Sequence, residues 1–312
     1  MKVFLPGGAG LVGINLIALI KSTNPEWELI VVDKKLESIK IAKKLFPDVI
    51  YICEDLSITI NQKWIKEIKD CDLCVMMQAE IGTKNNTLFE LNNITTTSQI
   101  LKVLKKYKVK RLIHISSSVV NSKTNDLYTK TKRRQEELVL KEFPDSIVLR
   151  PTLMFGWFDR KHLGWLANLM IKFPFFPIPG KGKFIRQPLF VIDFCQIIKS
   201  CIDNESFKGT YNITGLEKIK YLDLMRILRN VKSAWTMFIF LPIPIFNFLL
   251  KFWAFLANKP AFTSSQLEAL TAGDQFEIID WPEIFNVNPT KLKDALKITH
   301  NHPKYSKIQI PF

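Results

Sequence analysis

The chain has 312 residues, 47 % hydrophobic and 23 % charged, which suits one large globular domain or one domain with a smaller appendage and excludes a disordered chain. Its formal net charge of +15 is spread along the sequence without a long Lys/Arg block. That pattern favours a phosphorylated small molecule or an acidic lipid surface and argues against nucleic acid.

The first 150 residues alternate strand-like and helix-like segments. "KVFLP" is a short apolar run, and "AGLVGINLIALIKST" has helical periodicity. "WELIVVDK" is an apolar strand that ends in an acid. "LESIKIAKKLF" predicts a helix, "DVIYICED" a strand, "NQKWIKEIKD" a short helix and "CDLCVMMQA" a buried strand. Helical "TTTSQILKVLKKYK", strand "RLIHISSS", helical "YTKTKRRQEELVLKEF" and strand "SIVLRP" complete the half. Apolar strands alternating with helices predict an α/β fold with a doubly wound, Rossmann-type parallel sheet covered on both faces. We expect residues 1–155 to form this part and 156–312 a smaller, mainly helical substrate-binding region, some segments of which return to the sheet. "KFPFFPIPGKGKF" reads as a loop, "FVIDFCQIIKSCI" and "KIKYLDLMRILRNV" as helices, and Asp193 as a residue that caps or orients the first of these.

Two features test the cellular setting. "MKVFLPGGAG" does not read as a signal peptide, because an apolar run this short gives way to glycine. The apolar stretch "SAWTMFIFLPIPIFNFLLKFWAFLANKP", residues 233–260, is long enough for a membrane span. Pro242 and Pro244 break it, however, and predict a strand, a turn and an apolar helix. That helix, at residues 244–258, either packs in the core or lies on a membrane. Five cysteines show no disulfide spacing, and Cys71 and Cys74 read as buried thiols. A cytoplasmic location follows, with attachment at the inner membrane face as an open variant. The four histidines show no metal spacing, so no metal is expected; His300 and His302 read as a solvated tail.

Gly7, Gly10 and Gly13 form G-x-x-G-x-x-G between the first strand and helix, with Leu11 and Val12 inside the motif. Such a turn lets backbone amides approach a pyrophosphate at a helix N-terminus. Asp33 ends the second strand, twenty residues after Gly13. A carboxylate there accepts both adenosine ribose hydroxyls and repels a 2′-phosphate, which favours NAD over NADP. Lys34 and Lys35 follow at once and soften that preference. Tyr128 and Lys132, at i and i+4, share one helix face. An ammonium beside a phenol lowers its pKa and makes it a usable base.

With these residues the chain resembles the short-chain dehydrogenase/reductase superfamily, in its extended branch of nucleotide-sugar epimerases and dehydratases. "CEDLS" matches with Asp55 at the acid near the adenine amine. "VMMQAEIG" matches in part, with Ala79 kept, and "NNITTTSQIL" with Asn93 at its first asparagine. "YTKTK" matches Y-x-x-x-K, and "LRPTLMFG", with Pro151, matches R-P-x-x-x-x-G. The resemblance implies Ser117, Tyr128 and Lys132 as catalytic residues, with Ser116 and Ser118 one slip from Ser117. Lys132 would also hold the nicotinamide ribose. "GKGKFIRQPLFVID" implies that Arg186 contacts a substrate diphosphate, and "GWFDRKHLGWL", at the mouth of the cleft, offers Arg160 as a second anion contact.

The departures bear on the substrate. Ten residues separate Ser117 from Tyr128, far fewer than in the sugar epimerases. Ser118 and Val119 stand where dehydratases carry Asp-Glu, so water elimination is disfavoured. The tail resembles that of a looser group, which includes membrane-associated members and the nucleotide-binding accessory subunit of respiratory complex I.

The reading that follows is an NAD-dependent epimerase of a nucleotide-diphosphate or polyprenyl-diphosphate sugar, in polysaccharide biosynthesis, acting through a transient keto intermediate. Two alternatives stand beside it: a dehydrogenase or reductase of an apolar alcohol or ketone, and a non-catalytic cofactor-binding subunit of a membrane complex. A homodimer is left open.

Overall fold

The computed structural model describes residues 1–58, 63–81, 83, 85–123, 126–159, 163–256, 264–271, 273, 275–308 and 310. The first half supplies strands β1 (Lys2–Pro6), β2 (Glu28–Asp33), β3 (Ile50–Cys53), β4 (Leu73–Met76), β5 (Arg111–Ile115) and β6 (Ile147–Pro151). Between them run α1 (Leu11–Thr23), α2 (Leu36–Leu45), α3 (Lys63–Glu67), α4 (Asn86–Phe89), α5 (Thr96–Lys106) and α6 (Leu127–Glu142). The second half contributes short strands β7 (Met154–Phe155), β8 (Phe175–Pro179), β9 (Ile185–Arg186), β10 (Leu189–Phe190), β11 (Gly209–Ile213), β12 (Ile219–Lys220) and β13 (Met237–Leu241). Its helices are α7 (Leu163–Lys172), α8 (Val191–Asp203), α9 (Tyr221–Val231), α10 (Ile243–Leu256), α11 (Ser264–Thr271), α12 (Trp281–Phe285) and α13 (Leu292–Asn301).

Seven strands form one parallel sheet in the order β11-β6-β5-β4-β1-β2-β3. Six of them repeat the doubly wound Rossmann order, and β11, from the second half of the chain, adds an edge. Side-chain alternation builds the two cores. Val3 and Leu5 of β1 face a layer that includes α1 and α8, while Phe4 faces α5 and stacks on Trp64 at 5.8 Å. Both faces are covered, so β1 is fully buried from Val3 to Leu5.

Three local expectations are corrected and one is narrowed. "KFPFFPIPG" is not all loop: Phe175–Pro179 is a strand, paired in parallel with β13. Period-two burial of Phe176 and Ile178 pins it to the core beneath. Of the two roles expected of Asp193, it orients α8 and does not cap it. Its carboxylate takes the Thr290 amide at 2.8 Å and hydroxyl at 2.7 Å, tying α8 to the chain ahead of α13. The C-terminal histidines are not simply solvated. Burial lowers the His300 pKa to about 4, and His302 stacks on Tyr305 at 4.6 Å. Trp157 packs on that same pair, with its indole donating to the Ile298 carbonyl, and is not at the cleft mouth.

Candidate active site

A cleft of about 1700 Å³ runs along the carboxyl ends of the sheet strands, where open α/β sheets place their ligands. Its floor is built from the segments that leave β1, β2, β4, β5 and β6; its far wall comes from α7, β8 and α10.

At one end lies the glycine turn. Gly7 has φ +76°, and a Cβ there would sit 2.6 Å from the backbone nitrogen of Gln78. A Cβ on Gly13 would fall 2.2 Å from the Gly8 carbonyl oxygen. Both glycines are therefore required by the chain's own packing. Gly10 is not: a Cβ there would meet only the Gly7 oxygen, at 3.3 Å. It begins α1 with no side-chain cap and no acid in the first turn. Leu11 and Val12, in the first turn of this uncapped helix, line the cleft, which suits an anion.

Asp33 lines the cleft at the end of β2 and accepts the Lys35 amide at 3.1 Å. Burial raises its pKa, and the amides of Lys35, Ala9 and Lys34 offset part of that rise. The Lys34 ammonium donates to Asn92 Oδ1 at 2.7 Å, and Asn92 donates to Glu80 at 2.6 Å. Asp55 lines the same end, but its Oδ1 already accepts from the Ser57 amide and hydroxyl at 2.9 and 2.7 Å. Its neighbour Glu54 lines the cleft with both carboxylate oxygens buried and without a protein partner, as does Gln78 Oε1. Glu54 carries no motif signal in the sequence, and Gln78 stands in the partly matched "VMMQAEIG". Orphaned acceptors in the same cleft as Asp33 and an uncapped helix start fit a bound dinucleotide.

Mid-cleft, the three serines of "HISSS" separate. Ser116 lines the cleft, continues the strand through its amide, and donates its hydroxyl to Glu136 at 2.6 Å. Ser117 lines the cleft beside the Tyr128 phenol, close enough to oppose the rise of its pKa. Ser118 is buried. Tyr128 is held by the first turn of α6, where the Asp126 side chain caps the helix by accepting the Thr129 amide at 2.7 Å.

Lys132 departs from expectation. It is fully buried, does not line the cleft, and donates to the Ile115 carbonyl at 3.1 Å and to Gln135 Oε1 at 2.6 Å. Burial lowers its pKa to about 7, with the Glu136 charge opposing. Burial likewise raises Tyr128 to about 12; Ser117 opposes and the Asp126 charge adds. In the chain alone, desolvation therefore wins over the lysine–phenol attraction that the i, i+4 spacing predicts.

Lys132 gives a first prediction. Its folded pKa of about 7 lies below the ordinary value of 10.5, so between those values the unfolded chain binds the extra proton. Stability therefore rises with pH above about 7, by up to about 1.4 kcal/mol per unit from this group. Urea unfolding of wild type and Lys132→Met from pH 7 to 9 should show that slope in the wild type alone. Parallel curves would mean an ordinary charged lysine.

Asn93 is also buried away from the cleft. Its side chain accepts the Glu80 amide at 2.8 Å and donates to Thr131 at 3.0 Å, clamping the segment after β4 to α6. Ala79, Pro151 and Arg186 line the cleft. Arg160 lies outside the described residues. No group of three or more His, Cys, Asp or Glu able to hold a metal occurs among the described residues.

Sheet order, glycine turn and the Ser117–Tyr128 contact together define a Rossmann-type dinucleotide-binding protein built like the extended short-chain dehydrogenases. Residues 3–214 match the NAD dependent epimerase/dehydratase family, so the chain belongs to it, and NAD is its cofactor. Its fold matches UDP-glucuronic acid 4-epimerase from Bacillus cereus in complex with NAD (21 % identity, TM-score 0.73, covering 97 % of this chain and 96 % of that one). It also matches UDP-glucose 4-epimerase from Thermotoga maritima (15 %, 0.74, 97 % and 98 %). Among curated relatives, the mitochondrial NADH dehydrogenase [ubiquinone] 1 alpha subcomplex subunit 9 of Arabidopsis thaliana is 23 % identical over 80 % of this chain. The chain spans 65 % of that protein's length. A dTDP-D-glucose 4,6-dehydratase of Dictyostelium discoideum is 22 % identical over 74 % of this chain and 62 % of its own.

Proposed function

We propose that the chain is an NAD-dependent epimerase whose substrate is a sugar carried on a polyprenyl diphosphate. The observation that carries the reading is the placement of Ser117 and Tyr128 together in the cleft lining, with the glycine turn and an apolar wall in the same cleft.

When bound, NAD supplies a hydride acceptor and a positive charge near the phenol. Tyr128 takes the proton of the substrate hydroxyl and later returns one, while Ser117 holds the reacting oxygen. Tyr128 is protonated in the chain alone, so it becomes a base only beside an added cation. Lys132 and Gln135 fix the underside of α6, and with it the position of Tyr128. Water elimination finds no carboxylate after Ser117: Ser118 is buried and Val119 follows.

The substrate half of the cleft supports a lipid carrier. Leu166, Leu169, Phe176, Phe246 and Leu250 line it, and Arg186 enters the same wall on β9 beside Tyr221. A guanidinium suits a diphosphate, and the aliphatic and aromatic side chains that dominate this wall suit an isoprenoid. Arg186→Ala should raise KM for a polyprenyl-diphosphate sugar by about 10- to 100-fold, the cost of one charge-assisted hydrogen bond. An unchanged KM would remove Arg186 from the diphosphate site.

One observation favours a second reading. Lys132 lies behind the cleft wall, as expected if the chain holds its cofactor without turning over. The assay that separates the two is sugar inversion by the NAD-loaded protein, with Tyr128→Phe as control. Inversion lost in the variant supports the epimerase; inversion by neither protein supports the cofactor-holding role.

A further inference from the structure

The strand β13 and helix α10 form an apolar outer surface that the cleft does not account for. No described side chain of α10 is fully buried, although all but Asn247 and Lys251 of its residues are apolar or proline. Phe248 is 67 % exposed and Ile245 51 %. Next to this helix, Gly180 of the turn after β8 lies against Ile243 and donates its amide to the Leu241 carbonyl. The outer face of the β8–β13 ribbon continues the surface with Phe175, Met237 and Ile239 exposed, and Trp235 leads into it at 67 % exposure. Exposed aromatic and aliphatic side chains contiguous over two elements mark a binding surface rather than scattered apolar residues.

The occupant follows from charge and length. Residues 171–184 and 229–256, which make the surface and its flanks, contain Lys172, Lys181, Lys183, Arg229, Lys232 and Lys251 and no acid. Basic side chains around Trp and Phe suit anionic headgroups above an acyl boundary. No described helix is long and apolar enough to cross a membrane. At 14 residues α10 extends about 21 Å, short of a hydrocarbon core of about 30 Å. It can lie in an interface but not span it.

We propose that the β13–α10 surface docks on an anionic lipid bilayer, and that the cleft opens onto the docked face. Phe252 and Trp253 are exposed and also line the cleft, so they form the rim between lipid and site. The second clause rests on the lipid-linked reading of the substrate; the first does not.

Vesicle cosedimentation tests the docking without any turnover. Full-length protein should sediment with phosphatidylcholine–phosphatidylglycerol vesicles and much less with phosphatidylcholine alone. The triple variant Trp235→Ser, Ile239→Ser, Phe248→Ser replaces residues that do not line the cleft. It should lose at least tenfold in vesicle partition while binding NAD as the wild type does. No sedimentation of the wild type with anionic vesicles, or equal partition of the variant, would overturn the proposal. So would a wild-type dimer that the variant abolishes while vesicles leave both proteins in solution, since a second copy would then own the surface. Docking without sugar inversion would uphold the surface and fault only the substrate reading.

Discussion

Replacing Tyr128 with phenylalanine is expected to lower sugar inversion by about 10²- to 10⁴-fold, the usual contribution of a positioned acid–base group. NAD affinity should hardly change, because the ring stays and the hydroxyl makes its described contact with Ser117. Ser117→Ala should fall in the same direction by less, since it removes a partner of the reacting oxygen and leaves the proton carrier. Initial rates and cofactor titration on the same preparations check both statements. Unaltered turnover in Tyr128→Phe would remove the mechanism while leaving the family intact.

The second large effect is on stability. Glu136 is buried on α6, where it accepts Ser116 at 2.6 Å and is gripped by Arg150, whose Nε lies 3.1 Å from each carboxylate oxygen. One carboxylate thus joins the segment after β5, the strand β6 and the helix that carries Tyr128. Glu136→Ala leaves a guanidinium without its partner, and should cost about 3–5 kcal/mol. That is a large share of the roughly 5–15 kcal/mol that holds a domain folded. Urea unfolding measures it. Replacing both partners, Glu136→Leu with Arg150→Met, should recover much of the loss, because no charge is then stranded. A cost below about 1 kcal/mol in the single variant would place the pair with ordinary surface ion pairs.

The contrast between these two residues shows what can be read without coordinates. The place of Tyr128 in the cleft was legible because its surroundings are ordered along the chain: a glycine turn, an acid twenty residues on, a serine strand, then the tyrosine. The parallel sheet was legible for the same reason, since each strand and helix declares its own period. Glu136 was not legible. In "YTKTKRRQEELV" it reads as one more charge on a basic helix, and only pairing of β5 with β6 brings Arg150 to it.

Lys132 shows the same limit from the other side. Its spacing to Tyr128 was correct, but spacing does not tell how deep α6 sits against the sheet. Burial decides that: it reverses the expected direction of the Tyr128 pKa and lowers that of Lys132. Of the three serines, sequence left the choice open; all three line the cleft, and the Ser116 hydroxyl is already engaged by Glu136. Pairing of β8 with β13 joins segments some sixty residues apart, so its outer apolar face could not be assembled from either segment alone. The helix parse of residues 233–260 did succeed, because two prolines leave only one place for a helix to begin.

Sugar inversion on a lipid carrier tests the central claim most directly. Purified protein loaded with NAD would be mixed, in separate reactions, with a polyprenyl-diphosphate sugar and with its nucleotide-diphosphate counterpart, and the recovered sugars analysed for configuration. The account predicts inversion at one carbon of the lipid-linked sugar with no net accumulation of reduced cofactor. Both sugars recovered unchanged from protein that retains its NAD would contradict it.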